Sequence, residues 1–267
     1  MSVQTNLLEL DEMIRKGDLP GAEQKLLAWI EEAEQALNPG AKLSFLNELT
    51  GIYRSTGRAD AGCVTAEESL KLIPELGAEG SEAHAASLVN AATVNLQAGN
   101  LERSLEFYDR AAAIYEAPEL KNTVHAAALF NNMSGLCMRL CDYEKARGLL
   151  EKALEIVSGS EDCEEEQAST HVNLSHALMR LGCLDEAEGS LQEAFAWYSS
   201  PRGSRDPHVG AALAAYGELE LLRGDYGKSL QYYQDALKVT ENYYGRSGYY
   251  ELLQKNIAEV KKKIRDM

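Results

Sequence analysis

Apolar residues recur at three- and four-residue spacing along nearly the whole chain, which is the spacing of an amphipathic α-helix. No stretch stands out with the alternation of apolar and polar positions that a β-strand requires. Only six prolines interrupt the pattern in 267 residues. The sequence therefore predicts an all-α protein.

A short motif built around a turn residue returns along the chain every 40 to 42 positions. Its turn residues are Gly17, Gly57, Gly99, Cys141, Gly182 and Gly224. Five positions later stand the small residues Ala22, Gly62, Ser104, Ala146, Ala187 and Ser229. Glycine suits such a turn because a positive φ between two helices penalises a Cβ, and Cys141 departs from this rule. The small residues predict a close approach of two helices in each repeat.

This pattern resembles the tetratricopeptide repeat, and its length is similar to the repeats of about 42 residues found in kinesin light chains. Asp206-Pro207-His208-Val209 and His84-Ala85-Ala86 resemble the segments that open such repeats. The resemblance implies a right-handed α-α superhelix of six helix-turn-helix repeats followed by a C-terminal capping helix. The predicted repeats lie at residues 4–38, 41–76, 82–118, 123–159, 164–200 and 207–244, and the capping helix at residues 247–267. Because each helix pair buries its apolar face only against its neighbours, we expect a single solenoid domain over residues 1–267.

The charge and the cysteine content narrow the choice of partner and compartment. A net charge of −16 repels nucleic-acid backbones and anionic membrane surfaces, so neither is expected as a partner. No apolar run reaches the roughly 20 residues of a membrane helix, and Met1 to Asn6 lack the order of a signal peptide. The five cysteines have no framework spacing and are expected to be free thiols. These features predict a cytoplasmic protein.

No arrangement of residues predicts catalysis, a cofactor or a metal site. Gly227-Lys228-Ser229 matches the end of a phosphate-binding loop, but Leu222 stands where that motif needs its first glycine. Cys137 and Cys141 share a helix face, but two thiols are not the four ligands of a structural metal site. No serine or cysteine pairs with a histidine and a carboxylate in a nucleophilic arrangement. We therefore expect no enzyme activity, no cofactor and no bound metal.

The resemblance also implies a ligand-binding groove, lined by the first helix of each pair at positions nine, six and two before the turn residue. These positions share one helix face. In the third to fifth repeats the predicted groove residues are Asn90, Thr93, Gln97, Asn132, Arg139, Asn173, His176 and Arg180. In the sixth repeat the same offsets fall on Ala215, Glu218 and Leu222.

The predicted groove carries amides and cations in an otherwise acidic protein. Its equivalent asparagines are Asn90, Asn132 and Asn173. An amide is both donor and acceptor, so these residues could pair with the main chain of an extended ligand. Arg139 and Arg180 suit a carboxylate on the ligand. Two alternatives stay open: the asparagines could tie neighbouring helices together, and the arginines could pair with acids such as Glu218.

Asn131 stands where repeats that clamp a C-terminal carboxylate place a lysine, so that mode of binding is not expected. Asn131 is nevertheless predicted, with Asn132, as a groove residue.

The sequence predicts a scaffold or adaptor that binds a segment of a protein or a peptide in its groove. The alternative is a cytoplasmic sensor of a short signalling peptide, similar to peptide-responsive tetratricopeptide regulators of bacteria. Such a sensor would act through a partner protein, because no DNA-reading module is recognisable. No oligomeric state is predicted.

Overall fold

A computed structural model describes residues 2–158 and 163–267, with only the backbone of Tyr244. The described residues form thirteen α-helices and one short 3₁₀-helix and contain no β-strand, which confirms the predicted fold class. They fall into two compact units, Met1–Asn132 (unit 1) and Met133–Met267 (unit 2). Each unit is described by itself, and the single solenoid domain stays a prediction. Residue 159, the predicted end of the fourth repeat, lies outside the described residues.

Unit 1 is built from three helix hairpins and the first part of a seventh helix. The helices are α1 (Val3–Arg15), α2 (Leu19–Gln35), α3 (Pro39–Ser55), α4 (Ala59–Glu75), α5 (Glu82–Ala98), α6 (Leu101–Tyr115) and α7 (Val124–Arg139), the last of which crosses the unit boundary. Each odd-numbered helix from α1 to α5 packs against the next helix of its own repeat. The second helices α2 and α4 also pack against α3 and α5, the first helices of the following repeats. Hairpin thus stacks on hairpin within the unit.

Unit 2 is also built from stacked helix hairpins. Its helices after α7 are α8 (Tyr143–Val157), α9 (Glu164–Leu181), α10 (Leu184–Tyr198), α11 (Val209–Arg223), α12 (Tyr226–Tyr244) and α13 (Gly248–Arg265). The hairpins α9–α10 and α11–α12 pack through α10 and α11, and the capping helix α13 packs on α12. The first helices α9 and α11 also contact each other. This contact brings their solvent-facing sides together. Across the described part of the chain, none of the helices combines the length and the apolar character needed to cross a membrane.

The turn residues of the repeat all adopt the left-handed backbone conformation. The φ angles at Gly17, Gly57, Gly99, Gly182 and Gly224 lie between 73° and 85°. Cys141 takes the same conformation with φ 59°, although a residue with a Cβ pays about 1–2 kcal/mol for it. The fourth repeat therefore keeps the turn geometry without the residue that best tolerates it.

The small residues five positions after each turn are buried between helices, as the repeat pattern predicts. At Gly62 an added Cβ would lie 3.0 Å from Cγ1 of Val94, which is tighter than most packed contacts. The Ser229 hydroxyl donates a hydrogen bond of 2.8 Å to the Gly217 carbonyl of the paired helix. Side-chain size at these positions therefore limits how closely the second helix of a repeat approaches its neighbours, which are the first helix of the following repeat at Gly62 and that of the same repeat at Ser229.

Candidate functional site

One side of α9 faces solvent beside α11 in unit 2. Leu174, Ala177 and Leu178 are buried in the core of this unit, which fixes the orientation of α9. Residues three and seven positions apart share a helix face, so the predicted groove positions form one column on the opposite side. Two residues of this column, Asn173 and Arg180, are exposed. His176, the third, is only partly buried because it leans toward α11.

Glu218 of α11 connects two residues of this column. Its Oε2 lies 3.0 Å from Nδ1 of His176, and its Oε1 lies 2.9 Å from Nη2 of Arg180. We call His176, Arg180 and Glu218 the Glu218 bridge. The Glu218 side chain is 21% exposed, whereas that of Arg180 is 52% exposed. The guanidinium therefore keeps part of its surface and several N–H donors for a further acceptor.

The bridge holds Glu218 in its charged form. The hydrogen bond from His176 lowers the pKa of Glu218 below its ordinary value, and the charges of His176 and Arg180 act in the same direction. Burial acts in the opposite direction but does not outweigh the hydrogen bond. Glu218 therefore neutralises part of the positive charge that α9 presents on this face.

Two large side chains add apolar surface to the same part of unit 2. Leu222 lies one helical turn after Glu218 and is 48% exposed. Tyr249 of the capping helix is 38% exposed. Burial raises the pKa of Tyr249 to about 12, and the negative charge of Glu218 contributes, which places the phenol close to the bridge. We call Asn173, the Glu218 bridge, Leu222 and Tyr249 the α9–α11 face.

Arg139, at the end of α7, occupies in the fourth repeat the position that Arg180 holds in the fifth. Its side chain is exposed. No ion pair joins Arg139 to an acid within residues 2–158 and 163–267. The two predicted arginines thus differ, because Arg180 pairs with Glu218 whereas no acid of the described chain pairs with Arg139.

In unit 1, polar residues of the corresponding helices bind to each other. Nδ2 of Asn47 donates to Oγ of Ser87 at 3.1 Å and ties α3 to α5. Gln97, although exposed, donates from Nε2 to the Arg54 carbonyl at 3.1 Å. These two hydrogen bonds hold neighbouring first helices in register. Gln97 therefore has a structural contact at the position where the sequence predicts a ligand contact.

Thr93 also forms its hydrogen bonds inside the repeat. Its hydroxyl donates to the Val89 carbonyl at 2.8 Å and lies 3.2 Å from the hydroxyl of the buried Tyr108. Thr93 therefore links the two helices of the third repeat. Its role in the structure as described is packing of α5 on α6.

The amides of Asn90 and Asn132 behave differently from Gln97. Both side chains are partly exposed, and neither forms a hydrogen bond with another residue of the described chain. Asn131, in contrast, interacts within the protein. One alternative from the sequence is that the groove asparagines connect neighbouring first helices. In this unit Asn47 forms such a connection, from α3 to α5. Asn90 and Asn132 thus keep their amide groups available.

The sequence identified only part of the α9–α11 face. Glu218 and Leu222 lie at the groove offsets of the sixth repeat, although no ligand contact is predicted for them from the sequence. Tyr249 belongs to the capping helix, where no repeat offset applies. The offset rule fails at Ala215, which is fully buried in the core of unit 2.

Comparison with known proteins agrees with this geometry. Residues 166–242 match the family model described as tetratricopeptide repeat. No curated protein is significantly similar in sequence. Among solved structures, BtubC (BKLC) from P. vanneervenii is 23% identical over 73% of this chain and 78% of that chain, with a TM-score of 0.63.

Two further structures resemble the chain. A putative kinesin light chain with TPR-like repeats from Podosopora anserina is 16% identical over 75% of this chain and 95% of that chain, with a TM-score of 0.61. NprR, solved in complex with its cognate peptide NprX, is 12% identical over 95% of this chain and 71% of that chain, with a TM-score of 0.70. At these identities the likeness concerns the fold alone. The family match assigns tetratricopeptide repeats to residues 166–242, in α9 to α12, and the solved structures show that the chain as a whole shares the fold of such repeats.

Proposed function

We propose that the α9–α11 face binds a polypeptide segment and that the chain serves as a scaffold for protein–protein interaction. Tetratricopeptide folds generally support such interactions. The observation that carries the proposal is the half-exposed guanidinium of Arg180, held in place by Glu218 beside the exposed apolar side chains of Leu222 and Tyr249. A fixed cation next to apolar surface can orient a ligand and bury one of its side chains.

The charges on this face favour a ligand that carries a carboxylate. Arginine forms two parallel hydrogen bonds to a carboxylate, and Glu218 uses only part of the donor set of Arg180. Arg139 offers a second cation of unit 2 that no described acid neutralises. Because the protein as a whole carries −16, an acidic residue or a C-terminus of the ligand is attracted only where such cations are exposed. The two arginines therefore determine where on the protein an acidic group of the ligand binds.

The exposed amide of Asn173 lies one turn before His176 in the same column. An asparagine side chain can donate to and accept from a peptide group, so it suits the main chain of the ligand whatever its sequence. In unit 1, the free amides of Asn90 and Asn132 offer the same chemistry. Both are proposed as main-chain contacts of unit 1, apart from the α9–α11 face.

A display selection tests the proposal. Random peptides are selected on the immobilised full chain, and the binding of the best peptide is measured by fluorescence anisotropy. Arg139→Ala and Arg180→Ala should each weaken binding roughly tenfold, since a hydrogen bond to a charged group contributes about 1.5–3 kcal/mol. The matched control is Arg246→Ala, which removes an exposed arginine between α12 and α13. Equal affinities of the wild type and both groove variants would refute the proposal.

A second candidate function is the sensing of a short free peptide, which the likeness to NprR with its bound peptide favours. The two functions differ in the ligand. A sensor should bind an isolated short peptide as tightly as the same sequence within a protein. A scaffold should bind the protein more tightly, because flanking contacts add to those of the segment. Isothermal titration calorimetry with both forms of one selected sequence distinguishes them.

A further inference from the structure

Unit 2 contains a second cluster of polar groups where α9 and α11 begin. Glu165 lies in the first turn of α9, and Asp206 and His208 precede α11. One possible ligand atom from each of the three residues lies within 4.8 Å of the others. Glu165 and His176 are eleven positions apart on α9, which corresponds to about 16 Å along a helix. The cluster is therefore separate from the Glu218 bridge.

The loop before α11 holds Asp206 and His208 in a fixed relation. Oδ1 of Asp206 accepts a hydrogen bond of 2.8 Å from the backbone N–H of His208 and lies 2.8 Å from its Nδ1. Ligand atoms bound at about 2.1 Å and at right angles lie roughly 3 Å apart. The imidazole nitrogen and the carboxylate thus already have the separation of two neighbouring ligands on one ion.

The Asp206 carboxylate is buried with one oxygen unused. Its side chain is 6% exposed, and the buried Oδ2 forms no hydrogen bond with any residue in the described ranges. Burying a charged oxygen without a partner is unfavourable unless a cation compensates it. The neighbouring group on α9 is the carboxylate of Glu165, which carries the same charge and cannot compensate it.

Tyr198, the aromatic residue next to the cluster, does not compensate the negative charge of Asp206. Tyr198 is buried, and burial raises the pKa of its phenol; the negative charges of Asp206 and Glu165 act in the same direction. Tyr198 is therefore close to both carboxylates and brings no positive charge. A cation placed among the three residues would satisfy the unused oxygen and the two carboxylates together.

We propose that Glu165, Asp206 and His208 bind one first-row divalent transition-metal ion, of the type of Mn²⁺ or Zn²⁺. One imidazole nitrogen and two carboxylate oxygens suit these ions, whereas Mg²⁺ and Ca²⁺ prefer sites made of oxygen alone. The ion links the start of α9 to the start of α11. The sequence predicts no metal because Glu165 is a whole repeat away from the other two ligands. Their proximity arises only from the stacking of the fifth and sixth repeats.

Electron paramagnetic resonance of Mn²⁺ titrated into the full chain tests this site. Mn²⁺ is the suitable probe because the five free cysteines would compete for Zn²⁺. Excess Mg²⁺ occupies sites made only of carboxylates. We expect one Mn²⁺ per chain to remain bound in excess Mg²⁺. Glu165→Gln and His208→Ala should each weaken it at least tenfold, and both replace exposed side chains, so that circular dichroism should report an intact fold.

The matched control is Glu166→Gln, which removes the neighbouring exposed carboxylate in the same helical turn. Its Mn²⁺ affinity should equal that of the wild type. A second readout is the melting temperature, which Mn²⁺ should raise in the wild type but not in Glu165→Gln, since an ion that binds only the folded state stabilises it. The proposal is overturned if Mg²⁺ displaces all Mn²⁺, or if the control loses as much affinity as Glu165→Gln.

Discussion

Replacement of Glu218 by glutamine should weaken the fold and, at the same time, strengthen the binding of an acidic peptide. In the wild type, one carboxylate accepts from His176 and from Arg180. Glutamine keeps a single acceptor oxygen, so one of these interactions is lost and the other becomes weaker. Arg180 is then no longer neutralised and has more of its charge available for a ligand.

The size of both effects follows from the exposure of the partners. A hydrogen bond to a charged group contributes about 1.5–3 kcal/mol, but the half-exposed Arg180 is screened by solvent and its share falls to about 1 kcal/mol or less. The free energy of unfolding should therefore decrease by about 1–3 kcal/mol. This corresponds to a melting temperature lower by roughly 2–10 °C for a chain of this size. Release of Arg180 should strengthen the binding of a carboxylate-bearing peptide about two- to fivefold.

Urea unfolding followed by circular dichroism measures the stability, and fluorescence anisotropy measures the affinity. Glu144→Gln is the control, since it removes an exposed carboxylate of α8 that forms no ion pair within the described chain. The control should change neither quantity by more than about 0.5 kcal/mol. A Glu218→Gln variant that is as stable as the wild type, or that binds the peptide more weakly, would refute the reasoning.

The pH dependence gives the same prediction a second test. The pKa of Glu218 in the folded protein lies below its ordinary value of 4.5, so the folded state favours the charged carboxylate. The stability that the charge contributes is fully present above pH 4.5 and is lost as the pH falls through the lower, folded-state pKa. The difference in unfolding free energy between the wild type and Glu218→Gln should therefore shrink in acid. A difference that stays constant would show that the charge of Glu218 does not stabilise the fold.

Three further substitutions and one matched control test other features, by urea unfolding or, for Glu48→Gln, by thermal unfolding. Cys141→Gly should stabilise the protein by about 0.5–1 kcal/mol, because relief of the left-handed backbone outweighs the added freedom of the unfolded chain; a less stable variant would contradict this. Gly217→Ala should destabilise the protein by about 1–3 kcal/mol, because the added Cβ would lie 2.9 Å from the ring of Tyr233. In the control Gly148→Ala the Cβ meets no atom within 4 Å, so this variant should be more stable by about 0.8 kcal/mol. Equal effects of the two substitutions would contradict the packing described. Burial raises the pKa of Glu48, so its charged form destabilises the fold at neutral pH. The melting temperature of Glu48→Gln should therefore be about 1–2 °C higher than that of the wild type at neutral pH, and this difference should vanish below pH 4.5. A difference that persists in acid would exclude burial of the charge as its cause.

The sequence predicts the helices well because the repeat supplies the same evidence six times. A single turn glycine or a single buried alanine is weak evidence, but a spacing of 40 to 42 residues fixes both helices of every hairpin. The sequence sets Cys141 apart from the turn glycines, yet its backbone has the same positive φ, although the residue type alone argues against it. The division into two units has no counterpart in the repeat pattern.

The candidate site was less accessible from the sequence, because a repeat offset gives the direction of a side chain but not its partner. Gln97 and Arg180 both lie at groove offsets, yet one bonds to a backbone carbonyl and the other to Glu218. Asp206 and Glu165 are close only because two repeats stack, so the spacing of ligands along the chain conceals that cluster. Contacts between repeats are set by side-chain length and packing, which no periodicity encodes.

Photo-crosslinking from a single position tests most directly whether the α9–α11 face binds a polypeptide. A photoreactive amino acid replaces Leu222, which is exposed on α11, and in a control variant it replaces Lys238, which is exposed on α12. The selected peptide should crosslink to the variant at position 222, and excess unlabelled peptide should abolish the product. A crosslink from position 238 alone, or equal yields from both positions, would contradict binding at this face.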